Sequence, residues 1–268
     1  MELTKEEQEH FDAEGWVFLP GLFSSEEIAV LKRELPQIFA LQREEIWREK
    51  DDQAVRTAFA AHTYNEIFAR LGRHPRLIVP VVQLLSGPVY MHQYKINGKA
   101  AFSGDVWQWH QDYGTWARDD QMPAPHAMNI ALFLDEVTEF NGPLYIIPRS
   151  HRQGVIEASH DLVSTSYPLW TLDRETVGRL ANEGGIVAPK GKPGAVLLFH
   201  SNIVHASAPN ISPWDRVIVY LSLCRVDNHI RQFKRPEWIA HRDFAAIEPL
   251  ADDCLLHELV YANSSERG

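Results

Sequence analysis

The chain has 268 residues, 45% hydrophobic and 23% charged, a length and balance sufficient to bury a full core. A formal charge of -10 at pH 7 withholds the basic surface on which nucleic-acid binding depends, and that class of partner is excluded from the reading. Two cysteines, Cys224 and Cys254, with no C-x-x-C spacing, provide neither a disulfide framework nor a zinc cluster, and the count suits a reducing compartment.

Along the chain, Met1 to Glu7 is acidic and polar where a secretory leader needs a basic start and an apolar stretch. The most apolar window, Leu77 to Leu85, is far short of a membrane span and carries Pro80 and Gln83. No membrane partner and a cytoplasmic location are therefore expected. Thr4-x-x-Glu7 and Ser24-x-x-Glu27 read as capping boxes, in which a hydroxyl and a carboxylate satisfy the open amides of a helix start. Two helices follow, the first stopped by Gly15 and the second interrupted or kinked by Pro36 near Leu35. Residues 37–49 read as a continuing amphipathic helix with Ile38, Leu41 and Ile46 on its apolar side.

From Pro88 the pattern turns to short β-type runs punctuated by glycine, proline and asparagine. The strongest are Val89 to Ile96, Ala127 to Leu134, Leu144 to Ile147, Ala195 to His200 and Val217 to Val226. Asn141-Gly142-Pro143 reads as the turn entering the third of these. The runs suggest a mainly β double-sheet jelly roll over about 88–228, flanked by a helical part over about 4–85, all in one domain spanning 1–268. Residues 157–187 break the pattern as an insert. Thr171, Asp173 and Glu175 mark a helix start within it, and the insert is either a surface excursion or a lid over the substrate. The tail after Val260 reads as frayed.

The chemistry centres on Trp109-His110-Gln111-Asp112. Side chains two residues apart on a strand, or at its end, share a side, so His110 and Asp112 can reach one metal. A distant second histidine would complete the two-histidine, one-carboxylate face of an octahedral Fe(II), leaving positions for a co-substrate and dioxygen. His200 and His205 both compete for that place. Arg216 points to the co-substrate, because a planar guanidinium pairs with a carboxylate through two parallel hydrogen bonds and so selects a dicarboxylate such as 2-oxoglutarate. A surface salt bridge is the alternative role for Arg216.

Gln93-x-x-x-Asn97, Trp107 to Asp112 with Trp116, Asn141 to Leu144, Pro148-x-Ser150-His151, and His205 to Asn210 followed by Arg216 resemble the phytanoyl-CoA dioxygenase superfamily. Within it the chain resembles bacterial ectoine hydroxylases and hydroxylases of free leucine. The resemblance covers roughly residues 8 to 240 and implies a cupin-like double-stranded β-helix. It selects His205 over His200 as third ligand, since Ser207 and Arg216 follow at the family spacing. It places Ser207, Asn97 and Trp107 with Arg216 on the 2-oxoglutarate side, and Gln93 and Trp116 on the substrate side. Arg56 and His62 match a segment of the leucine hydroxylase-like sequences, where the arginine would clamp a substrate carboxylate. An ordinary exposed cation is the other reading of Arg56.

The expected activity is therefore Fe(II)-, 2-oxoglutarate- and O2-dependent hydroxylation of an unactivated C–H bond in a small polar molecule, with free aliphatic amino acids foremost. Ectoine-like solutes and acyl-CoA thioesters are the alternatives within the superfamily. Outside it stand a cupin-like metal-dependent hydrolase or isomerase and a non-catalytic small-molecule binding protein. Halogenation would need halide in place of the carboxylate ligand, and Asp112 fills that position.

Overall fold

The computed structural model describes residues 1–50 and 53–257, so the expected fraying beyond Val260 lies outside the described residues. Both capping boxes form. Thr4 Oγ1 accepts from the Glu7 amide while Glu7 returns a bond to the Thr4 amide at 2.8 Å, opening α1 (Lys5–Glu14). Gly15 closes that helix at φ 85°, a left-handed conformation that suits glycine. After β1 (Trp16–Leu19), Ser24 and Glu27 cap α2 (Ser25–Phe39) in the same way.

Here the structure excludes an interruption at Pro36 and corrects one expectation beyond it. Helix α2 runs through Pro36, which sits in its last turn, while Leu35 and Ile38 stay buried and hold that turn to the core. Residues beyond it do not continue as helix: Ile46–Arg48 is β2, paired antiparallel with β3 (Val55–Phe59). Strand pairing overrides the weak amphipathic pattern there. Two further helices, α3 (Glu66–Leu71) and α4 (Pro75–Leu85), precede the barrel strands, and α4 carries the apolar window with Pro75 in its first turn.

The remaining elements are β4 (Val89–Lys99), β5 (Trp107–His110), α5 (Asp112–Asp119), β6 (Ala127–Phe133), β7 (Leu144–Ile147), β8 (Ser159–Asp161), β9 (Leu169–Thr171), α6 (Arg174–Gly184), β10 (Val196–His200), β11 (Val204–Ser207) and β12 (Arg216–Arg225). Seven strands form one antiparallel sheet in the order β1-β10-β6-β12-β4-β3-β2. Three more form a second, β5-β11-β7, and β8 pairs with β9 as a separate hairpin. The segment read as helical thus contributes three strands, β1, β2 and β3, to the edges of the large sheet.

Period-two alternation sorts the side chains of the large sheet into two layers. Val217, Val219 and Leu221 of β12, Ile130 and Leu132 of β6, and Val196 and Leu198 of β10 pack against the helices. Ile218 and Tyr220, Ala131 and Phe133, and Leu197 and Phe199 face the small sheet instead, where Leu144 and Ile146 meet them. The strands are buried on both faces, which is why they read as near-continuous apolar runs. Two facing antiparallel sheets with helices on one outer face make a jelly roll, and the space between the sheets opens into the candidate site.

Candidate metal centre

Two histidines reach the inter-sheet cavity because β5 and β11 are paired with His110 directly opposite His205. Strand β5 ends at His110, Gln111 turns the chain, and Asp112 is the first residue of α5. Of the two placements expected for His110 and Asp112, along a strand or at its end, the structure has the second: the strand-to-helix turn brings the two side chains together. Asp112 Oδ1 lies 3.6 Å from His110 Nε2, and Oδ2 lies 3.5 Å from His205 Nε2. One donor atom from each of the three residues falls within 4.8 Å of the others.

The outer shell fixes the orientation of these groups. His110 Nδ1 donates to the carbonyl of Gln108 at 2.6 Å and His205 Nδ1 to that of Ile203 at 3.1 Å, which leaves both Nε2 lone pairs facing Asp112. Burial, reinforced by His110, lowers the His205 pKa to about 3, so the ring is neutral at ordinary pH. Burial alone would raise the Asp112 carboxyl, but Lys95, His205 and His110 outweigh it and hold the group well below the usual carboxylate range. Asn129 Nδ2 donates to Asp112 Oδ2 at 2.8 Å, and Ser222 Oγ in turn donates to Asn129 Oδ1 at 2.6 Å. This relay fits the β6 and β12 register, in which Asn129 and Ser222 are direct neighbours. Two imidazoles and one carboxylate oxygen around a common point, with no further His, Cys, Asp or Glu donor in the cluster among the described residues, suit Fe(II) with open positions.

Arg216, at the head of β12, is 2% exposed, and no carboxylate lies within ion-pair distance of it among the described residues. Its Nη2 donates to the carbonyl of Gly142 at 2.7 Å, and burial lowers its pKa. Gly142 has φ 74°, and a Cβ there would stand 2.6 Å from the Ala208 carbonyl, so glycine is required for this turn to present its oxygen to Arg216. In the same cavity, Ser207 Oγ is buried without a partner among the described residues. Asn97 uses its Oδ1 to accept from Thr57 Oγ1 at 2.7 Å. A buried guanidinium without a counter-charge among the described residues, in one cavity with an unsatisfied hydroxyl, is a costly arrangement unless a ligand carboxylate completes it, so these residues fit a dicarboxylate co-substrate.

His110, Asp112, His205, Arg216, Ser207, Asn97, Trp107, Gln93 and Trp116 all line one cavity of about 290 Å³. Trp116 is buried edge-on to His92 at 4.7 Å. Trp109 points elsewhere, into a cluster with Ile147, Leu180 and Val204 beneath α6. His200 lies 5.3 Å from His151, accepts from the Asn202 amide and takes no part in the triad.

Two expected substrate residues are placed outside the cavity. Arg56 is buried with Nη1 on Glu49 at 3.0 Å, Nη2 on the Val106 carbonyl at 2.7 Å, and its guanidinium 4.1 Å over the Trp107 ring. Its charge is already matched, so the clamp assigned to it is corrected to a prop beneath Trp107. His62 stacks on Tyr94 at 4.6 Å and meets His241 at 4.7 Å, lining a different cavity. Burial first, then His241, lowers its pKa to about 3.

Sequence reading missed Lys95, Asp119, Tyr220 and Arg235, which line the site cavity. Lys95 was legible, since strand alternation from Gln93 to Asn97 passes through it. Asp119 and Arg235 carried no local signal. The insert also turns inward: His160 on β8, Leu169 and Trp170 on β9, and Tyr167 between them line the cavity. The hairpin is seated by Trp47 Nε1 donating to the Ser166 carbonyl at 2.8 Å and by Gln108 Nε2 donating to Asp161 at 2.9 Å. Its helix, α6, starts after Asp173, whose carboxylate accepts from the Thr176 amide, rather than at Thr171.

Comparison with known proteins gives a consistent result. The family model for phytanoyl-CoA dioxygenase (PhyH) matches residues 11–218. L-proline trans-4-hydroxylase of Streptomyces griseoviridis is 37% identical over 256 residues, covering 91% of this chain and 95% of that protein. Ectoine dioxygenase of Bordetella parapertussis is 35% identical over 264 residues, covering 92% and 86%. Among solved structures, EctD from S. alaskensis with 2-oxoglutarate and 5-hydroxyectoine superposes with a TM-score of 0.83 at 33% identity, over 92% of this chain and 87% of that one.

Proposed function

The chain belongs to the phytanoyl-CoA dioxygenase family, and from that premise we propose that it hydroxylates a small free zwitterion, an amino acid, with L-proline foremost. It is an Fe(II)- and 2-oxoglutarate-dependent dioxygenase. The observation that carries the substrate reading is the cavity between the sheets. It is covered by the β8–β9 hairpin and holds one triad of metal donors, a buried unpaired Arg216 and an open Lys95. Relatives named for L-proline and for ectoine, both small polar molecules, match this chain over nearly its whole length.

His110, Asp112 and His205 would hold the iron, and Arg216, Ser207 and Asn97 the 2-oxoglutarate. Together with dioxygen, the bound metal and co-substrate supply the oxidative decarboxylation to succinate that drives insertion of one oxygen atom into an unactivated C–H bond. The chain's own residues select, orient and shield. Arg216 takes the distal carboxylate of the co-substrate through its planar fork. Lys95, whose ammonium lies 5.9 Å from the Tyr220 ring centre and has no hydrogen-bond partner among the described residues, receives the carboxylate of the substrate. Trp116 and Trp170 wall the cavity, and the hairpin keeps water out.

A coenzyme A thioester carries several phosphate charges and would call for a basic entry, against the acidic balance of this chain. Among the described residues no helix is long and apolar enough to cross a membrane. Both cysteines are free and buried, which supports a reducing compartment and a cytoplasmic enzyme. The test is a panel of free amino acids, ectoine and acyl-CoA thioesters assayed for succinate release and for a mass gain of one oxygen. L-proline or another free amino acid should score on both readouts. Turnover of acyl-CoA alone would overturn the substrate and leave the iron chemistry standing.

A further inference from the structure

Five side chains that carry full charge line the cavity: Lys95, Asp112, Asp119, Arg216 and Arg235. Three are committed. Asp112 belongs to the metal donors and Arg216 to the co-substrate, while Arg235 grips Asp120 through Nε at 2.8 Å and through Nη2. One cation, Lys95, and one anion, Asp119, are left. The carboxylate of Asp119 has the indole N–H of Trp170 as its partner, at 3.1 and 3.2 Å to the two oxygens, and no cation lies within ion-pair distance among the described residues.

The position of Asp119 is also informative. It is the last residue of α5, the helix that begins at Asp112. Seven residue steps of helix set the two backbones about 10 Å apart, so one rigid element carries the metal carboxylate at one end and Asp119 at the other. A carboxylate at a helix C-terminus is disfavoured by the helix dipole, whereas a cation there is favoured. Such a carboxylate is best satisfied by a positive group; Arg235 is near enough to feel its charge but spends its hydrogen bonds on Asp120, and among the described residues no cation pairs with Asp119 directly. The Asp119 carbonyl is fixed by Gln232 Nε2 at 2.7 Å, which holds the end of the helix in place.

We propose that Asp119 reads the cationic nitrogen of the substrate while Lys95 holds its carboxylate, so that the pair admits a zwitterion and rejects an acid of the same shape that lacks the positive charge. The inference rests on the amino-acid reading above. Because Trp170 of the β8–β9 hairpin donates to the same carboxylate, binding of the nitrogen and seating of the hairpin meet at one group.

The experiment measures binding by calorimetry, without oxygen, to protein loaded with Fe(II) and 2-oxoglutarate. The probes are L-proline and (S)-tetrahydrofuran-2-carboxylate, in which ring oxygen replaces the cationic nitrogen. Wild-type protein should prefer L-proline by about tenfold or more, the scale of one charge-assisted hydrogen bond. Asp119→Asn keeps the shape and an oxygen for the indole N–H but removes the charge. It should bring the ratio close to one by weakening L-proline and not the oxygen analogue. Asp119→Glu, which restores the charge, should recover a preference for L-proline. A full preference retained in Asp119→Asn, or equal binding of the two probes by wild type, overturns the role of Asp119 alone. Failure of wild type to bind any free amino acid overturns the amino-acid reading and this inference with it.

Discussion

Asn129 decides how the metal carboxylate is presented. Its amide holds Asp112 Oδ2 and is itself held by Ser222, so removing it frees the carboxylate to rotate without touching a donor atom. Asn129→Ala should weaken Fe(II) binding by about 10- to 100-fold, the usual cost of losing an outer-shell partner, as measured by anaerobic metal titration. An unchanged affinity would show that Asp112 is oriented by its helix alone. His200→Ala, by contrast, should bind iron as wild type does, because that ring sits against His151 and outside the donor cluster. At the other end of the cavity, Arg216→Lys keeps the charge and loses the planar fork. Its apparent 2-oxoglutarate KM should rise by about tenfold or more while amino-acid affinity stays close to wild type. A 2-oxoglutarate dependence that does not move would remove Arg216 from the co-substrate.

At the scale of elements, Glu49 and Arg56 tie the β2–β3 edge to the rim of the site. Glu49 Oε2 receives Arg56 Nη1 and Ser166 Oγ, and its Oε1 receives the Asp105 amide. The pair therefore joins β3, the approach to β5 and the β8–β9 hairpin. Arg56→Ala leaves Glu49 buried and unmatched and should cost about 3–5 kcal/mol, measured by urea unfolding, with much of the loss recovered in Arg56→Met/Glu49→Leu. A loss under 1 kcal/mol in the single variant would refute the structural role. Trp47→Phe deletes the indole bond to Ser166 and keeps the ring. It should speed protease cleavage in residues 162–166 and raise succinate release without product, since the hairpin is then held by one bond fewer.

For the whole molecule, buried neutral histidines set the acid limit. His200 and His241 are pushed down to about 4 and His62 to about 3, each chiefly by burial. In the unfolded chain they titrate near 6.5. The folded-state values are depressed, so the unfolded state takes up protons first. Stability is complete above about 6.5 and is lost as pH falls through about 4, at a limiting slope of about 1.4 kcal/mol per pH unit for each histidine. Urea unfolding midpoints should fall between pH 7 and pH 5, and His200→Gln should show a shallower fall than wild type. Equal slopes in the two proteins would mean that His200 is not a contributor.

Local chemistry in the chain determined the caps, the strands and the donor types. Thr4, Glu7, Ser24 and Glu27 act within a single turn, and five apolar runs mark the strands that are buried on both sides. The residues alone left His200 and His205 open and the family resemblance selected His205, while Arg216 announced itself as a cation at the head of an apolar run. Tertiary structure alone decided which charges are free. Arg56 and Arg235 look alike in the sequence as the cations they are, but one is matched by Glu49 beneath Trp107 and the other by Asp120 in the cavity wall. Asp119 and Lys95 are 24 positions apart, on α5 and β4, and share a cavity because the sheets fold over each other. Short strands such as Ile46–Arg48 and the pairing of β8 with β9 likewise depend on partners distant in the chain or on the cavity they line. The reason is physical: a cap or an apolar period is satisfied by near neighbours, whereas pairing of a buried charge and strand register are settled by groups that meet only after folding.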